Sequence, residues 1–379
     1  MAEPDHPTAD APTLTGLRLT LRPWRPGDAA AVHAAMQHRS MHRFLSLPDP
    51  YTEADAADFV TGIAPGGERS IERALVETRG GRLVGSVSLR FERAGPRDHV
   101  VSLGYAVYPA GQGHGYAREA VEALAGWAFG RGFARAEIQC AVDNLASAKT
   151  ALNAGFGFEG VRRNGLHVRS RAADAALFAR LPGDASGPVR RSFAPLPAGG
   201  LSDGVVRLRE LDGLDALALH EQEADETTVA NAFTGIAPAR ALAVATALRG
   251  PLDWLVGAAA PFAVVDEATG RFAGSIRLRQ AGPPGVAGIG YAVHPAFRGR
   301  GVTGRALRLL VPWAFGPGGF TRLELGAKAD NIASQRAALA GGFEPDGVRA
   351  ARLRYPDGSF ADEVRFALVN PQTARRMSP

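Results

Sequence analysis

Apolar and polar residues alternate from the first structured stretch of the chain. Leu17-Arg18-Leu19-Thr20-Leu21-Arg22 repeats with a period of two, which predicts a strand with one buried face. Pro26-Gly27 marks a turn, and Asp28 stands where it would cap a helix over Ala29 to His38. Thr52 followed three residues later by Asp55 is a helix-start pair, and the helix it opens runs to about Ile63. Ala74–Thr78 and Leu83–Phe91 read as strands of a hairpin turned by Gly80-Gly81, with Val100–Tyr108 as the next strand. From Tyr116 to Phe129 the period becomes helical, and Ala120, Leu124, Trp127 and Ala128 fall on one face. A strand over Ala134–Val142 follows, then a helix opened by Asp143-Asn144 and ended by Gly155. Phe158-Glu159-Gly160-Val161 and a strand around Ala173–Leu181, carrying Asp174, close this half.

The pattern then restarts. Residues 182–203 are rich in proline, glycine and small polar residues without periodicity, which predicts an interdomain linker, with Val189–Phe193 as the part that packs on a domain surface. Beyond it, Val205–Arg209 repeats the first strand and Asp215 matches Asp28. Tyr291 matches Tyr105, Gly301 matches Gly115, and Trp313 matches Trp127, each 186 residues apart. Asn331 and Ser334 match Asn144 and Ser147 at 187. A constant offset with a single slip is a tandem duplication of a whole domain. The stretch from Glu221 to Phe262 is the least like its partner, so a substrate-facing difference is expected there. The expected organisation is a lead over residues 1–13, a domain over 14–182, a linker over 183–203, a second domain over 204–371 and a tail over 372–379.

Composition narrows the class. Hydrophobic residues make up 46% and charged residues 21% of 379, as in a globular chain long enough for two domains. No apolar run is long enough to span a membrane, and the N-terminal residues, with acids and prolines, do not read as a signal peptide but as a disordered lead-in. Cys140 is the sole cysteine, so an intramolecular disulfide is excluded, a cysteine-rich metal site with it, and the cytoplasm is the expected compartment. Inside an apolar strand, that thiol is expected to be buried and inert. The net charge of +5 is carried by arginines scattered among acids, apart from Arg162-Arg163 with Arg169 and Arg171, and Arg349 to Arg354. No aromatic stacking platform accompanies them, which speaks against a nucleic-acid partner.

In both halves an apolar strand runs into a glycine-rich turn that opens an amphipathic helix. Such a turn offers unpaired amides and a positive helix end to a phosphate. Neither copy has the Gly-Lys-Ser/Thr of a P-loop, and no acid-ended strand follows as a dinucleotide site requires. The pattern that fits is Gln/Arg-x-x-Gly-x-Gly/Ala: Gln112, Gly115 and Ala117 match it in the first copy, and Arg298 and Gly301 in the second, where Thr303 stands in the final position.

This resembles the acyl-coenzyme A pyrophosphate loop of the GNAT acetyltransferases. The likeness extends through the Gly-Tyr strand, the Trp-Ala-Phe helix end, Asp-Asn-x-x-Ser, Gly-Phe and the terminal aspartate strand, twice in the same order. It lies nearest the RimJ/RimL-like branch, which acetylates protein N-termini and small amines. The resemblance implies an α+β (α/β) fold of two tandem domains, each a mixed, mostly antiparallel twisted sheet flanked by helices. It implies acetyl-CoA as co-substrate and no metal. The diphosphate would lie on the amides of Gly113, His114, Gly115, Tyr116 and Ala117, and of Gly299, Arg300, Gly301, Val302 and Thr303, with Gln112 and Arg298 beside it. Pantetheine would lie where the strand of Tyr105, Ala106 and Val107, or that of Tyr291, Ala292 and Val293, splays from its neighbour. Asn144 and Asn331 resemble the family asparagine near pantetheine; a helix N-cap explains them equally. Ser147 and Ser334 resemble the serine that protonates the departing thiolate; helix-start bonding is the other reading. Trp127 and Trp313 read as core.

A base for the attacking amine is not evident. Some relatives carry a glutamate shortly after the stretch matching Phe158-Glu159-Gly160, and neither half has one in that window. His167 is the candidate in the first half, ahead of Glu159 and, in the second half, Asp357. The expected activity is transfer of an acetyl group to a primary amine of a small molecule or a protein N-terminus. The other reading is an acyl-coenzyme A sensor or scaffold in which one or both domains are inactive. Two fused copies packing as a pseudo-symmetric pair would make a monomer, with neither nucleic acid nor membrane as partner.

Overall fold

The computed structural model describes residues 13–63, 70–91, 99–169, 171–189 and 193–374. By contact the chain divides into two units, Met1–Arg190 and Arg191–Pro379. The expected N-terminal lead lies outside the described residues except for residue 13; of the expected tail, residues 372–374 end a short helix, Pro371–Ala374.

In the first unit β1 (Leu14–Thr15) and β2 (Leu19–Arg22) lead through a 3-10 turn, Pro26–Asp28, to α1 (Ala29–Met36). Asp28 does not cap this helix: its side chain makes no cap bond. Its carboxylate instead takes the Arg22 guanidinium at 2.7 and 2.8 Å and the Arg25 amide at 2.9 Å. Burial alone would raise its pKa, but the bonds to Arg22 and Arg25 outweigh that and hold it below the carboxylate range. The second unit repeats the clamp with Arg209 and Asp215 at 2.6 and 2.7 Å. α2 (Glu53–Asp58) starts on the expected reciprocal cap: the Asp55 amide donates to Thr52 Oγ at 3.2 Å, and the Thr52 amide to Asp55 Oδ2 at 2.7 Å. A π-helical turn, Phe59–Ile63, extends it.

The hairpin follows as β3 (Ser70–Glu77) and β4 (Leu83–Phe91), then β5 (Val100–Val107), α3 (Tyr116–Gly130), β6 (Arg135–Ala141), α4 (Leu145–Asn153), β7 (Gly157–Val168) and β8 (Arg171–Arg180). β3 begins at Ser70 rather than Ala74, because Glu72 and Arg73 interrupt its apolar pattern without ending its pairing to β4. β7 is far longer than Phe158–Val161 suggested; its outer half is polar and exposed, and a bulge carries Asn164 at a φ of 50°. The buried face of α3 is Ala120, Val121, Leu124, Ala125 and Ala128, while Trp127 is half-buried beneath Arg131.

The strand order is β1-β2-β3-β4-β5-β6-β8-β7, antiparallel everywhere except between β5 and β6. That parallel pair needs a crossover, which α3 supplies. One side of the sheet is covered by a cluster of Val32, Met36, Met41, Tyr51, Ala56, Val60 and Tyr108 from the α1–α2 region, with Ala106 packed against it.

The second unit has β9 (Leu201–Ser202), β10 (Val206–Glu210), α5 (Ala216–Ala224), α6 (Glu226–Asn231), α7 (Arg240–Val256), β11 (Ala260–Asp266), β12 (Phe272–Gln280), β13 (Val286–Val293), α8 (Val302–Phe315), β14 (Arg322–Lys328), α9 (Ile332–Ala340), β15 (Glu344–Arg354) and β16 (Phe360–Val369). Its strands follow the same order, β9 through β14 and then β16 and β15. Three helices, α5 to α7, stand where the first unit has α1 and α2. Part of the proline-rich stretch is built into this unit. Phe193 is 2% exposed, against Trp254 and Phe320. The carbonyls of Ala194 and Pro195 accept from the indoles of Trp254 and Trp313 at 3.1 and 3.4 Å. These contacts satisfy buried polar groups that the aromatic core would otherwise strand.

Candidate active site

Pairing between β5 and β6 runs from Val100–Arg135 to Leu103–Ile138 and stops there. Both strands continue, β5 against β4 and β6 against β8, so a gap opens beyond Gly104. The second unit repeats this: β13 and β14 pair from Val286–Arg322 to Ile289–Leu325 and then part. The Tyr108 amide donates to Val84 O of β4 at 2.8 Å. Backbone groups alternate along a strand. Tyr105 and Val107 therefore turn N–H and C=O into the gap, whereas Ala106 spends its backbone on β4. The His294 amide donates to Ala273 O at 2.9 Å, which sets Tyr291 and Val293 toward the second gap and Ala292 away from it.

Each gap ends at a glycine turn. Gly113 and Gly115 have φ of 79° and 77°, Gly299 and Gly301 of 74° and 69°. Those left-handed angles are what glycine permits at no steric cost. The first helical bond after the turn is from the Glu119 amide to Gly115 O at 3.2 Å, and in the second unit from Arg305 to Gly301 O at 3.2 Å. The amides of Gly113 to Arg118 and of Gly299 to Gly304 precede it and are left for an anion. In the first unit Arg18 donates to His114 O at 2.9 Å and to Glu119 at 2.8 Å, and the His114 ring stacks on Tyr116. Gln112 Nε2 donates to Val107 O at 3.0 Å, tying the turn to the gap. Arg298 is held elsewhere than its motif position suggested: its guanidinium bonds Asp225, and Thr228 Oγ at 2.9 Å.

Across each gap stands a tyrosine–serine pair. The hydroxyls of Tyr105 and Ser147 share a bond of 2.8 Å, and Tyr105 also donates to Ser147 O at 3.0 Å. Tyr291 and Ser334 repeat it at 2.9 and 3.0 Å. Burial pushes both phenols up, so they stay protonated at neutral pH. Asn144 and Asn331 cap their helices, Oδ1 accepting from the amides of Ser147 and Ser334 at 3.2 and 3.0 Å. The cap uses the oxygen and leaves Nδ2 as a donor. Cys140 is buried and its thiol is pushed up to about 11 by that burial.

The sequence candidates for a base fall outside this arrangement. His167 is exposed, opposite Ala172 near the tip of the β7–β8 hairpin, past the part of β8 that pairs with β6. Glu159 is engaged by Arg135, which holds its pKa low. Asp357 is an exposed turn residue whose carboxylate caps the Ser359 amide at 2.9 Å. The group they miss is Glu72. It lies on β3 opposite Ser88, which lies opposite Gly104, so the three form one row on one face. That face carries Ala106 and the α1–α2 cluster, and Tyr105 points to the other. A Cβ on Gly104 would stand 2.7 Å from Ser88 Oγ, so glycine keeps the row open. Desolvation pushes Glu72 up to about 7, with Arg90 only partly opposing it. The second unit has Pro261 at Glu72's place and Arg277 at Ser88's, by the register of Arg277 with Gly290.

Among the described residues no helix is long and apolar enough to cross a membrane. A family model described as "Acetyltransferase (GNAT) domain" matches residues 18–157 and again residues 206–344. Probable N-acetyltransferase YjcK of Bacillus subtilis (strain 168) is 30% identical over 112 residues, which is 29% of this chain and 61% of that protein, so the chain spans less than two thirds of that relative. Among solved structures, a putative ribosomal-protein-serine acetyltransferase from Vibrio cholerae is 24% identical, covers 45% of this chain and 98% of its own, and has a TM-score of 0.41. RimL, a ribosomal L7/L12 alpha-N-protein acetyltransferase in complex with coenzyme A, is 22% identical over 45% of this chain and 97% of its own, with a TM-score of 0.39. One family match falls on each unit, and each takes in a gap, a glycine turn and a tyrosine–serine pair. The chain therefore belongs to the GNAT acetyltransferase family, as two such domains in tandem.

Proposed function

We propose that the first unit transfers the acetyl group of acetyl-CoA to a primary amine by direct attack, and that the second unit, which shares the gap, the glycine turn and the tyrosine–serine pair but not Glu72, serves a different acceptor. The observation that carries this reading is the parting of two paired strands at Leu103 and again at Leu325, with a glycine turn at the end of each gap. A thioester laid along β5 meets the amides of Tyr105 and Val107, which are placed to hold its carbonyl oxygen as charge develops there. The diphosphate rests on the amides of Gly113 to Ala117 and of Gly299 to Thr303.

The amine enters from the α1–α2 face and loses a proton toward Glu72. Two strand spacings separate Glu72 from Gly104, roughly 10 Å of backbone, which the glutamate side chain and one water bridge. Nitrogen bonds to the carbonyl carbon, the carbon–sulfur bond breaks, and the thiolate takes a proton from Ser147 on the opposite face; Ser147 regains one from solvent as Glu72 releases its own to solvent. Tyr105, neutral and bonded to Ser147 Oγ, holds that hydroxyl in place. Acid and base thus stand on opposite faces of the gap. The acceptor is a primary amine of a small molecule or of a protein N-terminus.

Native mass spectrometry of the chain titrated with acetyl-CoA tests this. Two ligands per chain are expected, one lost in Gly115→Glu and the other in Gly301→Glu, because each change sets a carboxylate where the diphosphate lies. Absence of any bound ligand sinks the reading. Binding without thiol release across an amine screen leaves a sensor.

A further inference from the structure

The two units differ most on the face from which an acceptor approaches. In the second unit, Arg277 lies opposite Gly290 on one side of the gap. Among the described residues it has no hydrogen-bond or ion-pair partner; Asp253 and Glu223 act on it only through space. On the other side, Glu363 of β16 lies opposite Lys328, and its side chain reaches Gly326, the residue after Leu325, where pairing to β13 ends. A Cβ on Gly326 would stand 2.0 Å from Glu363 Oε1, so glycine makes room for that carboxylate. In the matching places the first unit keeps an arginine, Arg162, for Arg349, but has Ala175 for Glu363, Gln139 for Gly326, Leu177 for Arg365 and Gly165 for Arg352, by the registers of β6, β7 and β8.

Beside Glu363 is a cavity of about 380 Å³ lined by Arg349, Arg352, Arg354 and Arg365 with Phe233 and Leu353. Three of these arginines lie within 4.0 Å of the Glu363 carboxylate. Arg365 stands 3.2 Å from Glu363 and also bonds Glu324. Arg349 and Arg352 are 3.8 and 4.0 Å from the same Glu363 oxygen, with side chains 53% and 59% exposed. With Glu324 also serving Arg365, Glu363 is left to offset both Arg349 and Arg352, each beyond hydrogen-bond distance, so their planar forks remain for an incoming oxyanion, which they match in geometry. The size is at the lower end for a small-molecule site.

Resting on the reading of the gap as an acyl-transfer site, we propose that the second unit takes an amine acceptor bearing a carboxylate or phosphate, and that Arg349 and Arg352 hold this group in the cavity. Glu363 orients the two arginines, and Arg277 adds positive charge from across the gap. The first unit has Glu72 on its acceptor face and only Arg162 of the pair, with glycine at Arg352's place and no carboxylate to orient a fork, so it makes no such demand.

Isothermal titration tests the cavity without turnover. The full chain carries Gly115→Glu and Gly301→Glu, so that neither glycine turn captures phosphate, and is titrated with glutarate and with inorganic phosphate. Binding of at least one anion is expected, weakened about tenfold or more by Arg349→Gln or Arg352→Gln, the low end for a charge-assisted bond. Tighter glutarate assigns a carboxylate, tighter phosphate a phosphate ester. Failure of both anions to bind, or binding indifferent to both arginines, overturns the proposal. In the Gly115→Glu chain, thiol release from acetyl-CoA is then compared for aspartate against asparagine and for phosphoethanolamine against ethanolamine. Preference for the acidic member supports the assignment; equal or reversed preference overturns it while leaving acyl transfer intact. Anion binding in a chain that never binds acetyl-CoA would instead remove the acyl-transfer reading alone.

Discussion

Glu72→Gln removes the ionisable group on the acceptor face while keeping its size. With a pKa of about 7, about one Glu72 in eleven is ionised at pH 6 and about ten in eleven at pH 8. If the carboxylate receives the amine proton, kcat/KM gains about tenfold from this group over that span. A positioned base contributes roughly 10²–10⁴, so the variant should lose that much at pH 8 and about tenfold less at pH 6. The assay is thiol release from acetyl-CoA in a Gly301→Glu background, which confines turnover to the first unit. The acceptor amine titrates too, so the quantity to plot is the ratio of wild type to variant, in which the acceptor's own ionisation cancels. A ratio flat between pH 6 and 8, or a variant as fast as wild type, refutes the assignment of Glu72. Stability gives an independent check. A raised pKa means the folded chain favours the protonated form, so this contribution is full below about 4.5 and is lost as pH rises through about 7. Glu72→Gln should therefore melt no lower than wild type at pH 8, and a loss of rate there is not a loss of fold.

Ser147→Ala should lower kcat while leaving acetyl-CoA affinity within a few-fold, because the Asn144 cap accepts from the backbone amide and survives the change; weakened binding with unchanged kcat would remove Ser147 as the proton donor. Phe193→Ala should cost about 3–5 kcal/mol, the range for emptying a buried aromatic site, seen as a lowered urea midpoint; a loss under 1 kcal/mol would mean that the segment merely lies on the second unit.

Much of this molecule is legible from spacing alone. The duplication, the strand that runs into each glycine turn, and the Asn-x-x-Ser helix starts are local patterns, and local hydrogen bonding carries them into the structure. What escapes is set by partners that no local period reveals. Glu72 was not legible because a charged pair reads as the end of an apolar strand, and only the register of β3, β4 and β5 reveals the row it shares with Ser88 and Gly104. Asp28 has the residue type and place of a cap, yet Arg22 lies within reach across the turn and takes it at 2.7 Å. Arg298 matches a phosphate-binding motif, but its partner, Asp225, sits on helices that the first unit lacks in that form. Phe193 lies in a segment expected to pack on a domain surface, but one aromatic residue among prolines has no period, so nothing local shows that it enters a core between Trp254 and Phe320.

The aromatic cluster around Phe193 also makes the second unit its own optical reporter. The chain has four tryptophans. Trp254 and Trp313 lie 5.5 Å apart, 5% and 3% exposed, while Trp24 and Trp127 in the first unit are only half-buried. Dry, closely packed indoles emit at shorter wavelength than wetted ones and quench less readily with iodide. The blue edge of the emission spectrum therefore belongs to the second unit, and its decay during denaturation follows that unit with no label attached.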